Sequence, residues 1–96
     1  MYRLIATIEV IAFDLFEQFE AQAASIMADY GGSIESAYET KRNTNDSGEE
    51  VHVVAFASED DFIAYTQDER LEQLSELRAK AISATDVKRV VTTKAY

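Results

Sequence analysis

FASEDDFIAYTQDERLEQLSELRAKA, residues Phe56 to Ala81, is the stretch that fixes how the rest of the chain is read. It leaves an apolar strand end at Phe56 and enters a turn at Ser58 whose hydroxyl can accept a first-turn N–H. Asp61 stands at the reciprocal position of a capping box. Phe62 and Tyr65 are the apolar contacts of that first helix. Asp68 can cap a second helix, in which Leu71, Leu74, Leu77 and Ala81 recur at steps of three and four and form a buried stripe. Glu76 and Lys80 add an i,i+4 pair.

Upstream, Tyr2 to Ile11 is rich in Ile and Val and reads as a central strand. Asp14 followed by Glu17 is a capping-box pattern, and Phe16, Phe19, Ala23, Ile26 and Tyr30 then mark one face of an amphipathic helix. Gly31 and Gly32 follow, as suits a left-handed residue past a helix end. Ser33 to Arg42 alternates, with Ile34, Ser36, Tyr38 and Thr40 on one face. Asn43 to Gly48 is a polar turn cluster, and Glu50 to Ala57 is the return strand of a hairpin. Downstream, Val87 to Tyr96 reads as a last strand with basic residues between its valines.

The order strand, helix, strand, strand, helix pair, strand is the split βαβ arrangement, an α+β, ferredoxin-like βαββαβ fold. It predicts one domain over residues 1–96: a four-stranded antiparallel sheet, with helices on one face and the first and third strands in the middle. Both central strands are apolar on two sides. In the third, Val51, Val53 and Ala55 oppose His52, Val54 and Phe56, and in the first Ile5 and Ile11 oppose Leu4, Ala6, Ile8 and Val10. An antiparallel sheet with one wet face should alternate more cleanly. Each such side chain left in water forfeits about 1.5–3 kcal/mol. A second copy of the chain covering the open face, as a homodimer, is therefore expected.

Taken together, Val54-Ala-Phe56, the acidic capped turn Ser58 to Phe62, Tyr65, Asp68, the run Leu74-Ser-Glu-Leu-Arg78 and Ala81 resemble the dimeric α+β barrel superfamily. More narrowly they resemble the small DUF1330-type domain. Members of that family tend to carry Asp-Pro before the Leu-x-x-Leu-Arg run. Here Glu69 stands in place of the Pro, and an acidic residue in a first turn suits the helix dipole. The resemblance implies a dimeric protomer with a cleft between sheet and helices. The wider superfamily holds cofactor-free monooxygenases, haem-binding enzymes, isomerases and stress-response proteins, and fold alone does not choose among them.

Composition narrows the partners. The chain has 96 residues, 47% of them hydrophobic, and a net charge of −9 from 18 acidic and 9 basic side chains. Phosphate binding needs a basic surface, so nucleic acid is not expected, nor an anionic membrane. With no Cys, thiolate chemistry, disulfides and zinc–sulfur sites are excluded. No apolar run approaches the roughly 20 residues of a membrane span. The opening MYRLIATIEVIAFDLF lacks a basic leader region, so a cytoplasmic protein is expected. No phosphate loop, dinucleotide fingerprint or Gly-x-Ser-x-Gly turn is present, and no cofactor is expected.

A few residues carry possible chemistry. His52, the one histidine, is the candidate general acid/base or ligand, and the plain alternative is a hydrogen-bonded interfacial histidine. Arg78, among leucines, can grip a substrate carboxylate bidentately or else pair with a local acid such as Asp68 or Glu39. Tyr65 and Tyr38 can offer phenols to a cleft or serve as core aromatics. Glu49-Glu50 and Glu59-Asp60-Asp61 match no calcium loop and read as a solvated hairpin and a capped turn. The leading reading is a small homodimeric ligand-binding or accessory domain. The alternative is a cofactor-free monooxygenase or isomerase acting on a small, largely apolar molecule. A cleft filled by Phe16, Phe62 and Leu77 would leave dimerisation alone.

Overall fold

The computed structural model describes all 96 residues. Its strands are β1 (Tyr2–Val10), β2 (Ser33–Arg42), β3 (Gly48–Phe56) and β4 (Ile82–Arg89). They form one antiparallel sheet in the order β2-β3-β1-β4, with the two apolar strands in the middle as expected. Four helices, α1 (Phe13–Ala28), α2 (Glu59–Thr66), α3 (Glu69–Glu72) and α4 (Ser75–Ala81), complete the α+β, ferredoxin-like order. The register sorts the side chains. Leu4, Ala6 and Ile8 pair with Val54, His52 and Glu50 and share the helix-covered face, while Ile5 and Thr7 pair with Val53 and Val51 on the open one.

The long helix starts earlier than its sequence suggests. Ala12 occupies the cap position without a side-chain bond, and Asp14 lies inside the first turn, where Oδ1 accepts the Leu15 N–H at 2.9 Å. The cap that Asp14 was expected to supply comes from the hairpin loop instead, because the Phe13 N–H donates to the Asp46 carbonyl at 2.9 Å. Phe13, Phe16, Phe19, Ala23, Ile26 and Met27 are buried along α1. Its end follows the glycine pattern: Gly31 takes φ +70°, and the Gly32 N–H returns to the Met27 carbonyl at 3.0 Å. Gly32 also passes so close to the Phe56 and Met27 side chains that a Cβ has no room there.

The rest of the helical layer is broken. Ser58 Oγ accepts the Asp61 N–H at 3.2 Å, and Asp68 Oδ1 accepts the Arg70 N–H at 2.8 Å, so both predicted caps form. The second helix does not run through, however. It divides at Gln73–Leu74 into α3 and α4, and Leu71, Leu74 and Leu77 are only half-buried against the core. Asp68 is also braced by the Tyr30 hydroxyl, which donates to Oδ2 at 2.6 Å, and by Arg70, which bridges to Asp29 at 2.9 Å.

The last strand is the other departure. It occupies Ile82–Arg89 rather than Val87 to Tyr96, because α4 passes directly into extended backbone at Ile82. Its partner β1 runs out first: the Val90 N–H still donates to the Arg3 carbonyl at 2.9 Å, and the residues beyond it have no strand to pair with.

Candidate functional site

Between the helix-covered face of the sheet and the broken half of the layer lies a cavity of about 330 Å³. Fourteen of its nineteen lining residues are hydrophobic, among them Leu4, Ala6, Val54, Phe56 and Phe62. No side chain of α2 is fully buried, and Phe62 and Tyr65 reach from it to the sheet as part of the cavity wall. Phe16 belongs to the solid core, Leu77 packs against that core, and Phe62 forms a wall of the cavity without filling it. The filled cleft that would have left dimerisation alone is not what forms.

The polar lining groups are confined to a few residues, and His52 is the most buried of them, at 4% exposure. Its Nε2 lies 2.8 Å from Glu50 Oε1 and its Nδ1 lies 3.8 Å from Glu20 Oε2. An ionised carboxylate can only accept, so the proton of the neutral ring sits on Nε2 and donates to Glu50. Nδ1 is then the free lone pair, facing Glu20. The ring also packs against Phe16, with centroids 6.0 Å apart. Glu20 and Glu50 lie against opposite nitrogens, and the three side chains form no metal-ligating cluster.

Glu20, on the buried side of α1, accepts no hydrogen bond, and its side chain is 23% exposed. Burial raises its pKa above the ordinary carboxylate value; the charge of Glu50 adds to the rise, while Arg78, and His52 whenever it is protonated, pull it down. Tyr65, on α2, lines the same cavity, with its ring 5.5 Å from Phe56 and 6.3 Å from Tyr30. Burial, followed by the charge of Glu20, pushes its phenol up to about 12. Arg78 lines the cavity from α4 at its exposed rim, where Nη2 donates to Thr85 Oγ1 at 3.2 Å. Neither Asp68 nor Glu39 is its partner, since they bind Arg70 and Arg42. Arg78 is the one arginine with no carboxylate within 4.0 Å, in a chain of net charge −9.

The structure thus gathers His52, Arg78 and Tyr65 but not Tyr38. A register shift between Ile34 and Ser36 breaks the alternation that put Tyr38 on one face with Ile34. Ile34 lines the cavity opposite Val54, whereas Tyr38 pairs with Val51, faces the open side of the sheet and is 57% exposed. The hairpin acids also part company. Glu49 turns to the Thr40 hydroxyl at 2.7 Å, and Glu50, read as solvated, turns inward to His52. Glu20 was not singled out by sequence reasoning, although a signal existed: it stands four residues after Phe16 and three before Ala23, a charge on an otherwise apolar stripe.

No family model and no curated protein matches the chain. Solved structures do. Protein Atu4242 of Agrobacterium tumefaciens, a NIPSNAP family protein of unknown function, superposes with a TM-score of 0.72 at 19% identity over 98% of this chain and 95% of its own. An uncharacterised NIPSNAP domain protein of Burkholderia xenovorans gives 0.72 at 11% identity over 97% and 95%. SnoaB of Streptomyces nogalater, a cofactor-independent oxygenase, gives 0.72 at 13% identity over 98% and 94%. At such identities one conclusion follows: the chain has the ferredoxin-like α+β fold that the NIPSNAP proteins and this oxygenase share.

Proposed function

We propose that this chain is a small ligand-binding or accessory domain that takes a small, largely apolar molecule into the cavity, with an anionic group toward Arg78. The observation that carries this is the cavity itself: about 330 Å³, apolar-walled, with its ionisable groups gathered from α1, β3 and α4. The probe is 1-naphthoate, followed by titration calorimetry. The wild type should bind it saturably, and Arg78→Ala should weaken binding about 10- to 100-fold, the worth of one charged hydrogen-bonded contact. Equal affinity in both proteins removes the anion anchor. Absence of saturable binding for both 1-naphthoate and neutral 2-naphthol sinks the reading.

A second reading, a cofactor-free monooxygenase or isomerase, is favoured by the Glu50-held imidazole. A histidine whose Nε2 is occupied presents a fixed base at Nδ1 to whatever enters. The fold shared with a cofactor-independent oxygenase is compatible with it. An activity that survived His52→Ala unchanged would exclude this mechanism.

The same reading includes a homodimer through the open sheet face. Ile5 and Tyr38 are exposed there beside half-buried Val51 and Val53, and covering such side chains is worth about 1.5–3 kcal/mol each. Light scattering at micromolar concentration should report a dimer, and Val53→Lys a monomer; a monomeric wild type rules the arrangement out. Tyr65, Asp68 and Leu74-Ser-Glu-Leu-Arg78 support a DUF1330-type domain within the fold. The acidic, cysteine-free composition supports a cytoplasmic setting. No helix is long and apolar enough to cross a membrane.

A further inference from the structure

We propose that Glu20 is the proton acceptor of the cavity, with His52 and Glu50 the groups to which its proton can pass, so that the bound molecule is an apolar carbonyl compound with an enolisable C–H. This rests on the binding reading above and specifies its chemistry.

Three observations bear on it. Glu20 is a carboxylate in an apolar-walled cavity with no hydrogen bond to neutralise it, which makes it a stronger base than one in water. His52 stands between two carboxylates, Nδ1 3.8 Å from Glu20 and Nε2 2.8 Å from Glu50, and one imidazole can therefore take a proton on one side and release it on the other. The line joins two partly exposed carboxylates, Glu20 at 23% and Glu50 at 18%, through an imidazole that is 5% exposed. The groups facing Glu20 from the elements around it are His52 and Glu50 of β3, Arg78 of α4 and Tyr65 of α2.

The step balances without any co-reactant. The α C–H of the ligand breaks, its electron pair becomes the enolate C=C, and the carbonyl π pair moves to the oxygen, whose negative charge faces Arg78. The proton forms an O–H on Glu20. Once the two groups close from 3.8 Å, it passes to Nδ1 as the Nε2 proton moves to Glu50. Return of a proton to oxygen or to another carbon gives a tautomer of the starting compound.

The test follows 2-tetralone in deuterium oxide. Proton NMR reads both its binding to the protein and the loss of its C1 hydrogens. The wild type should accelerate exchange over buffer. Glu20→Gln, isosteric and relieved of a buried charge, should fold at least as stably and still bind, yet lose about 10²-fold or more of the acceleration. Glu50→Ala tests the positioning role separately: nitrogen-15 shifts of His52 should report the Nε2–H tautomer in the wild type and a mixture in the variant, with slower exchange. Binding without accelerated exchange overturns this inference and leaves the binding reading standing. Exchange equal in wild type and Glu20→Gln overturns it as well. Failure of 2-tetralone, 1-naphthoate and 2-naphthol all to bind overturns both.

Discussion

The two halves of the helical layer cover the same sheet in opposite ways. α1 is an unbroken 16-residue helix that buries six side chains, three of them phenylalanines spaced three apart. The other half spends Glu59–Ala81 on three short helices and buries only Ala81. The difference lies in the breaks. Ser58 starts α2, Asp68 starts α3 and the chain breaks again at Gln73–Leu74, so the stripe is interrupted and Leu71, Leu74 and Leu77 reach the core only in part. A continuous stripe packs solid, whereas an interrupted one leaves volume. The cavity therefore lies where the helical layer is broken, and its walls include Phe19, Phe56, Phe62 and Tyr65.

The largest test of that contrast is a pair of truncations. Phe16, 1% exposed under α1, should cost about 3–5 kcal/mol as Phe16→Ala in urea unfolding. Phe62, half-buried on α2 and bordering space that is already empty, should cost about half as much, since its loss enlarges an existing cavity. Equal costs would mean that the broken half is packed as tightly as the continuous one.

Two carboxylates sharpen the comparison through pH. Asp68 braces the broken half, and hydrogen bonds from Arg70 and Tyr30 hold its pKa well below the ordinary 3.8. A depressed folded pKa contributes stability above the unfolded value that is lost as pH falls, so the Tm difference between wild type and Asp68→Asn should shrink below about pH 4. Glu20 has the opposite sign. Its folded pKa is raised, so the folded state favours the protonated form, and stability falls as pH rises above the ordinary 4.5. Glu20→Gln should therefore raise Tm at pH 7 and leave it unchanged near pH 3. Parallel pH profiles for the two variants would contradict the assignment of one acid to a brace and the other to a cavity.

How far the sequence foretold this depends on whether the deciding interaction was local. The caps at Ser58 and Asp68, the α1 stripe from Phe16 to Ile26 and the central place of β1 and β3 follow from spacing within one element and are as read, whereas Tyr30, read as the end of that stripe, lies past the helix, which stops at Ala28. What failed depended on partners. The β2 bulge beyond Ile34 moves Tyr38 to the other face, and no residue in Ser33–Arg42 announces it. The end of β4 is set by where β1 begins, and the α1 cap by a carbonyl in a distant hairpin loop. The site divides likewise. His52, Arg78 and Tyr65 converge, while Glu20 was not singled out among the apolar residues of its helix, and Glu50 was read with Glu49 as part of a solvated hairpin.

The smallest expected effect sits at the boundary of the two halves. The Tyr65 ring packs on Phe56 and Tyr30, but its hydroxyl has no hydrogen-bond partner in the chain. Tyr65→Phe keeps the ring contacts and removes only that group, so it should change unfolding stability by less than about 0.5 kcal/mol. It should also abolish one late step in an alkaline absorbance titration, since burial pushes this phenol up to about 12. A cost well above about 1 kcal/mol would mean that the hydroxyl is held by a buried partner, because losing one end of such a bond leaves the other unsatisfied. A negligible cost together with a changed affinity for 2-naphthol would instead place the hydroxyl among the groups that a bound molecule meets.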